Sequence, residues 1–178
     1  MKTALLIIDV QQALSHGEYA AWDSPRILGN INSVSARARE AGAPVFLIQH
    51  DEPGGPLQAE SEGWQLAEGL NTAGGDIRVR KQASDSFHNT DLHAQLQQRG
   101  VTDLVICGLQ SDFCVDTTTR RAMALGYPVQ LVADGHSTLD NEVLTARQIA
   151  AHHNATLSNL TSFGPRTQAV PASRVEFS

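Results

Sequence analysis

The sequence predicts an α/β domain, a doubly wound three-layer sandwich with a six-stranded, mostly parallel sheet in the order 3-2-1-4-5-6. The first observation is a nearly unbroken apolar run, residues 3–8, which ends at Asp9. Such a run is typical of a strand that is covered on both faces, as in parallel sheets. The second observation is that further apolar runs alternate with segments of helical spacing, the order that builds parallel strands with crossover helices.

Six segments have the length and apolar content of strands. They are residues 3–8, 44–50, 77–79, 103–107, 128–133 and 155–160. The first helix is predicted from Ser24, an N-cap residue followed by Pro25, and it ends at Gly42. Further helices are predicted over residues 90–99, from 113 or 114 to 125, and over 140–153. Residues 51–75 are interpreted as a long loop with one short helix around residues 64–70, and residues 164–178 as a polar tail.

Composition narrows the function. With 178 residues we expect a single domain over residues 1–178, and the formal net charge of −6 without any basic run argues against a nucleic-acid partner. No apolar run approaches 18 residues and no signal peptide is recognised, so a cytoplasmic protein without a membrane partner is expected. Two cysteines seven positions apart do not make a disulfide framework.

Three ionisable side chains follow predicted strands: Asp9, Lys81 and Cys114. The carboxyl ends of parallel strands share one edge of the sheet, so we expect these groups on one rim. Cys114 would begin a helix, whose dipole favours the reactive thiolate. Asp9 could accept the thiol proton, and Lys81 could stabilise the thiolate and orient the carboxylate. Each residue alone has an ordinary interpretation: a solvated strand end for Asp9, a surface lysine for Lys81, which is the more common case, and a small core residue for Cys114.

Other functions remain open from these residues alone. Cys114 could be an oxidation-sensitive thiol, although a redox sensor has no need of a base, and Cys107 within a strand is a poor resolving partner. A nucleotide-binding domain is disfavoured because no G-x-G-x-x-G follows the first strand.

Three segments resemble the isochorismatase-like cysteine hydrolases. They are LLIIDVQ at 5–11, KQASDSFHNT at 81–90 and GLQSDFCV at 108–115, with TTTRRA at 117–122, GYPV at 126–129 and Asp134 as the continuation. The resemblance covers roughly residues 3–160. It implies a catalytic triad of Asp9, Lys81 and Cys114, with Cys114 as the nucleophile.

The resemblance also implies a cis peptide at Leu109–Gln110 and an oxyanion hole formed by the backbone N–H groups of Gln110 and Cys114. It implies hydrolysis of a C–N bond in a small-molecule amide, lactam or carbamoyl compound through a covalent Cys114 intermediate. The alternatives are vinyl ether hydrolysis of the isochorismatase type and a non-catalytic, redox-sensing role. The family further implies a homo-oligomer, a dimer or tetramer.

No metal or other cofactor is expected. Metal-dependent nicotinamidases of the family carry an Asp-x-His arrangement after the second strand and further histidines, whereas this chain retains only His50 there. Gln11, Trp64 and Phe87 are candidate substrate-binding residues because a small-molecule site needs aromatic walls and a few polar groups. Strand-end hydrogen bonding for Gln11 and core packing for the two aromatics are the alternatives.

Overall fold

The sheet is parallel throughout, and its order confirms the predicted fold class. The computed structural model describes residues 2–178. The strands run in the order β3-β2-β1-β4-β5-β6. Their bounds are β1 Thr3–Ile8, β2 Val45–His50, β3 Ile77–Lys81, β4 Asp103–Leu109, β5 Val129–Ser137 and β6 Thr167–Val170. The order reverses between β1 and β4, which is where ligands bind in open parallel sheets.

Helices cover both faces of the sheet. They are α1 Gln12–Ser15, α2 Ser24–Glu40, α3 Leu92–Gln98, α4 Asp116–Ala124 and α5 Ala146–Asn159, with a π-helical turn Ser111–Val115 leading into α4 and a 3₁₀ turn Ala172–Arg174. None of the helices within residues 2–178 has the length and apolar content needed to cross a bilayer. The cytoplasmic location and the homo-oligomer stay predictions.

Alternate residues of β1 supply two separate cores. Leu6 and Ile8 pack into the cluster shared with α3, α4 and α5, while Leu5 and Ile7 pack into the cluster shared with α2 and the C-terminal segment. Because successive side chains of a strand point to opposite faces, an unbroken apolar run is what a sheet covered on both sides requires.

The sixth strand lies later in the chain than predicted. Residues 155–160 are predicted as a strand, but the structure continues α5 to Asn159 and forms β6 from Thr167–Val170, within the predicted polar tail. The helix also begins later than predicted, at Ala146, where Thr145 and Gln148 form a reciprocal capping box. Leu157 is fully buried and continues the apolar face of α5, so residues that suit a short strand complete a helix instead.

The predicted short helix at residues 64–70 is absent. The chain there forms turns, and Leu66 makes an isolated antiparallel bridge with Gln11. The far end of the loop is fixed to α2, where Arg39 donates two hydrogen bonds to the Asp76 carboxylate at 3.1 and 2.8 Å. These tertiary contacts hold the loop without a helix of its own.

Gly108 permits the close approach of β4 to β1, with φ of 120°. A Cβ atom on Gly108 would lie 2.1 Å from the carbonyl oxygen of Ile8, a backbone atom in the neighbouring strand. The strand ends that carry Asp9 and Cys114 can therefore lie side by side only with glycine here.

Gly108→Ala is expected to destabilise the fold by about 3 kcal/mol or more, because neither the clash with Ile8 nor the positive φ is relieved by a side-chain movement. Gly29→Ala is the matched control. Gly29 lies in α2, where an added Cβ atom would have no neighbour within 4 Å, and alanine there should stabilise by about 0.5–1 kcal/mol. Urea unfolding of both variants measures the difference; equal midpoints would contradict the role of Gly108.

Candidate active site

Three strand ends bring the predicted ionisable groups together. Asp9 follows β1, Lys81 ends β3, and Cys114 lies in the π-helical turn after β4. Asp9 adopts φ of 51°, a left-handed conformation that aspartate tolerates better than most residues, and its N–H donates to the carbonyl of Ile48 at 2.9 Å. All three side chains are buried.

The Lys81 ammonium is the centre of the cluster. It lies 2.8 Å from Asp9 Oδ2 in a buried ion pair. It also lies 3.1 Å from His50 Nδ1, 3.0 Å from the carbonyl oxygen of Ala83 and 3.2 Å from Cys114 Sγ. Burial lowers the pKa of Lys81, but its interactions with the Asp9 carboxylate and the Cys114 sulfur outweigh burial and raise that pKa above its ordinary value. The protonated, cationic form of the lysine is therefore favoured.

His50 is neutral and has a defined tautomer. An ammonium group can only donate hydrogen bonds, so Nδ1 of His50 accepts from Lys81 and the ring proton is on Nε2. Burial and the Lys81 charge lower the pKa of His50. From sequence, this histidine is recognisable only as a remnant of a metal motif. Its register position beside Lys81 on the neighbouring strand gives it a different role.

The surroundings of Cys114 favour the protonated thiol over the thiolate that the start of a helix would favour. Burial raises the pKa of Cys114 to about 12, with the Asp9 carboxylate adding to that effect and Lys81 opposing it. The thiol is enclosed in the first turn of the helix rather than exposed in front of it. A nucleophile in this state needs a base during the reaction.

Asp9 is placed to be that base. Single ligand atoms of Asp9, His50 and Cys114 lie within 4.8 Å of one another. Both carboxylate oxygens of Asp9 are buried, and neither has a hydrogen-bond partner within residues 2–178, although Oδ2 lies 2.8 Å from the Lys81 ammonium. An unpartnered carboxylate oxygen beside a protonated thiol can accept its proton.

The loop that carries Cys114 is fixed by a buried polar chain. The peptide bond between Leu109 and Gln110 is cis. Ser111 hydrogen-bonds through its hydroxyl to His136 Nδ1 at 2.7 Å, and His136 Nε2 bonds to Asn154 Oδ1 at 2.9 Å. Because the amide oxygen only accepts, His136 donates through Nε2 and accepts from Ser111. No sequence motif identifies His136, since its partners come from distant segments.

A cavity of about 340 Å³ opens beside Asp9 and Cys114. Its wall is mainly apolar or aromatic, with a few polar groups. The other lining residues are Leu14, Tyr19, His50, Glu52, Pro56, Leu57, Ser84, Gln110, Phe113 and Leu139. A mostly apolar wall around a small polar centre suits a small organic substrate.

Gln11, a predicted substrate-binding residue, does not line this cavity. Its amide is fully buried, donates to the carbonyls of His50 and Trp64 at 3.1 and 2.9 Å, and accepts from the His50 N–H at 2.9 Å. With donors and acceptor occupied, Gln11 ties the ends of β1 and β2 to the loop instead of contacting a ligand.

Trp64 and Phe87, the predicted pocket aromatics, also lie outside the cavity. Trp64 donates through its indole N–H to Asp51 and is covered by the Arg80 guanidinium, 4.9 Å from the ring centroid. Phe87 is buried in the core and stacks on Tyr127 at 6.4 Å between ring centroids. Tyr19 and Phe113 line the cavity in their place, but neither was singled out by a sequence pattern.

The donor atoms of the cluster do not fit a resident metal ion. Asp9, His50 and Cys114 form the one group of three potential metal ligands found within residues 2–178. The Lys81 ammonium contacts a donor atom of each, so a positive charge already lies among them. A divalent cation there would face that ammonium at short range.

Comparisons with known proteins identify the family of this chain. The family model described as the isochorismatase domain matches residues 3–165. A streptothricin hydrolase of Streptomyces noursei is 35% identical over 94% of this chain, which spans 64% of that protein. A ureidoacrylate amidohydrolase of Pseudomonas syringae is 32% identical over 75% of this chain and 69% of its own length.

A solved isochorismatase structure from Pseudomonas putida superposes with a TM-score of 0.90 at 29% identity, over 98% of this chain and 90% of the other. The domain match covers far more than half of the sequence and includes Asp9, Lys81 and Cys114. The chain therefore belongs to the isochorismatase family.

Proposed function

We propose that this protein is a cysteine hydrolase that cleaves a C–N bond of a small amide, lactam or carbamoyl compound. The observation that carries the proposal is the contact of one buried ammonium with Asp9 and Cys114, at 2.8 and 3.2 Å, beside an open cavity. The names of two relatives, a streptothricin hydrolase and an amidohydrolase, support hydrolysis as the reaction class.

In the proposed reaction Asp9 takes the proton of Cys114 as Sγ attacks the substrate carbonyl carbon. The backbone N–H groups of Gln110 and Cys114 stabilise the oxyanion of the tetrahedral intermediate. Asp9 then passes the proton to the leaving nitrogen as the C–N bond breaks, leaving a thioester. Water attacks the thioester, Asp9 accepts a proton from it, and the acid product departs as Cys114 regains its hydrogen.

Lys81 holds both reacting partners throughout this cycle. Its charge favours the thiolate as the proton leaves Cys114, and it keeps Asp9 oriented toward the sulfur. The Nε2–H of His50, which lines the cavity, is available to donate to a substrate atom. Burial of Cys114 in the free protein thus keeps the thiol unreactive until a substrate is bound and Asp9 takes the thiol proton.

A redox function is less well supported. Cys107 is fully buried in β4 and belongs to the core cluster on the other face of the sheet from Cys114. Burial also raises the pKa of Cys107, which disfavours its thiolate. Since these are the two cysteines of the sequence, Cys114 has no resolving partner in its own chain.

Cys114→Ala is expected to lower turnover of any substrate found in an amide and carbamoyl panel by at least about 10³-fold, because no acyl-enzyme can form. Ammonia release measures turnover, and mass spectrometry of the quenched wild-type reaction should show the acyl adduct on Cys114. Cys107→Ala, a matched change at the other cysteine, should retain both the adduct and turnover. Near-normal turnover by Cys114→Ala would overturn the proposal.

Asp9→Asn should separate thiolate formation from catalysis. The Asp9 charge raises the pKa of Cys114, so its removal should shift the pH profile of iodoacetamide alkylation toward lower pH. Turnover should nevertheless fall by about 10²-fold or more, since the base is lost. Lys81→Met, which removes the opposing charge, should shift the alkylation profile toward higher pH. A shift in the same direction for both variants would contradict the assigned roles.

Activity should fall in acid as His50 becomes protonated. The pKa of His50 lies below the ordinary 6.5, so the ring is neutral at pH 7. It gains a proton only as the pH falls through this lowered pKa. The charged ring could no longer accept the hydrogen bond from Lys81, and its positive charge would repel the ammonium. The negative charges of Asp9, Asp51 and Glu52 would offset this repulsion only in part.

The matched variants are His50→Asn, whose amide oxygen can still accept from Lys81, and His50→Leu, which cannot. His50→Asn should move the acid limb of kcat/KM to lower pH, whereas His50→Leu should lower kcat/KM about tenfold at neutral pH because the ammonium loses a partner. An acid limb unchanged in His50→Asn would assign that limb to another group.

A further inference from the structure

One charged group that lines the active-site cavity has no opposite charge beside it among the described residues. Asp9 and Lys81 form a closed ion pair at 2.8 Å, and both are buried. Burial favours the neutral thiol of Cys114, and the hydrogen bond that His50 Nδ1 accepts from Lys81 favours a neutral ring. Among the residues that line the cavity, this leaves Glu52 as the one charge without an opposite charge beside it.

Within the described part of the chain, Glu52 differs from its neighbour Asp51 in having no charged partner. Asp51 is neutralised by Arg80, which donates to it at 2.8 Å, and accepts a further bond from Trp64. The carboxylate of Glu52 has no ion pair or hydrogen bond to any other side chain of residues 2–178, and it is exposed. Its backbone is nonetheless fixed, because its N–H donates to the carbonyl of Leu57 at 3.0 Å. Its carboxylate lies beside Gly55 of the same turn, and Glu52 lines the cavity, so the charge lies at the cavity mouth.

Two aromatic rings share that mouth with Glu52. Tyr19 and Phe113 line the cavity and are 45% and 55% exposed, unusual values for large aromatic side chains. The face of an aromatic ring attracts a cation, and an unpaired carboxylate does so more strongly. By contrast, no arginine or lysine is among the lining residues, so an anionic substrate would meet Glu52 without a countercharge.

We propose that the cavity selects substrates that carry an ammonium or guanidinium group near the bond to be cleaved, with Glu52 as the specificity-determining residue. This rests on the proposed function only in taking Cys114 as the reacting group. Glu52 contacts the cationic group, the aromatic rings cover its apolar flank, and the carbonyl faces Cys114.

Charged thiol reagents test the selectivity without a known substrate. The cationic reagent is 2-(trimethylammonium)ethyl methanethiosulfonate and the anionic one is 2-sulfonatoethyl methanethiosulfonate. Each transfers its thioalkyl group to the Cys114 thiolate and releases methanesulfinate. The thiolate fraction cancels in the ratio of the two rates at Cys114, and dividing by the ratio for a free thiol removes the difference in intrinsic reactivity between the two reagents. Mass spectrometry assigns the modified residue.

The wild-type ratio should favour the cation. Glu52→Gln should lower the normalised ratio about five- to tenfold, and Glu52→Lys should reverse the preference. Glu68→Gln is the matched control: it changes the net charge equally, and Glu68 is exposed and outside the cavity lining. Its ratio should equal that of the wild type. Equal ratios in wild type and Glu52→Gln would overturn the proposal, as would an equal loss in Glu68→Gln.

A second measurement uses three amides of nearly equal shape: 5-aminopentanamide, hexanamide and the monoamide of adipic acid. We expect kcat/KM, measured by ammonia release, to fall in that order, and the advantage of the first over the third to narrow in Glu52→Gln. Turnover in the reverse order would contradict the selectivity. If no amide of any charge is hydrolysed, the proposed reaction fails, while the reagent ratio still decides the role of Glu52.

Discussion

The ion pair between Lys81 and Asp9 is the interaction on which the site and the surrounding strand ends depend. Removing an ammonium from water costs several kcal/mol, and burial is tolerated only when the charge is paired and its hydrogen bonds are satisfied. Here the partners come from separate segments: Asp9 after β1, His50 of β2, Ala83 after β3, and Cys114 after β4. The ammonium has all of its partners only when these segments pack as in the native fold. The native packing at this edge therefore also sets the relative positions of Asp9 and Cys114.

This arrangement also explains why a protonated thiol is compatible with catalysis. From sequence, two influences on Cys114 are apparent, the start of a helix and the charge of Lys81, and both favour a thiolate. Burial is the larger influence and favours the protonated thiol. Burial depends on how β4, the π-helical turn and the loop over the site pack together, which local sequence does not specify. The positions of Asp9, Lys81 and Cys114 could be predicted because each follows a predicted strand, and parallel strands end at one edge.

The structure differs from other expectations for a related physical reason. The alternation of strands and helices predicted a mostly parallel sheet, yet residues 155–160 were wrongly predicted as a strand, because Leu157 continues a buried helical face. Gln11, Trp64 and Phe87 have the right chemistry for a pocket. Their polar atoms and ring faces are instead used by His50, Asp51, Arg80 and Tyr127, which only the tertiary structure brings near. Cavity-lining residues such as Glu52 and Phe113 carry no local signature.

The loop after β2 is anchored at both ends, and this separates substitutions that affect the fold from substitutions that affect only the cavity. The loop is held at its start by the contacts of Asp51 and at its end by Arg39 and Asp76, whereas the side chains of Glu52, Pro56 and Leu57 face the cavity. We expect substitutions at these three positions to alter what fits the cavity without disturbing the buried ion pair or the two cores. The shape of the cavity can then change by small steps while the buried ionisable cluster stays as it is.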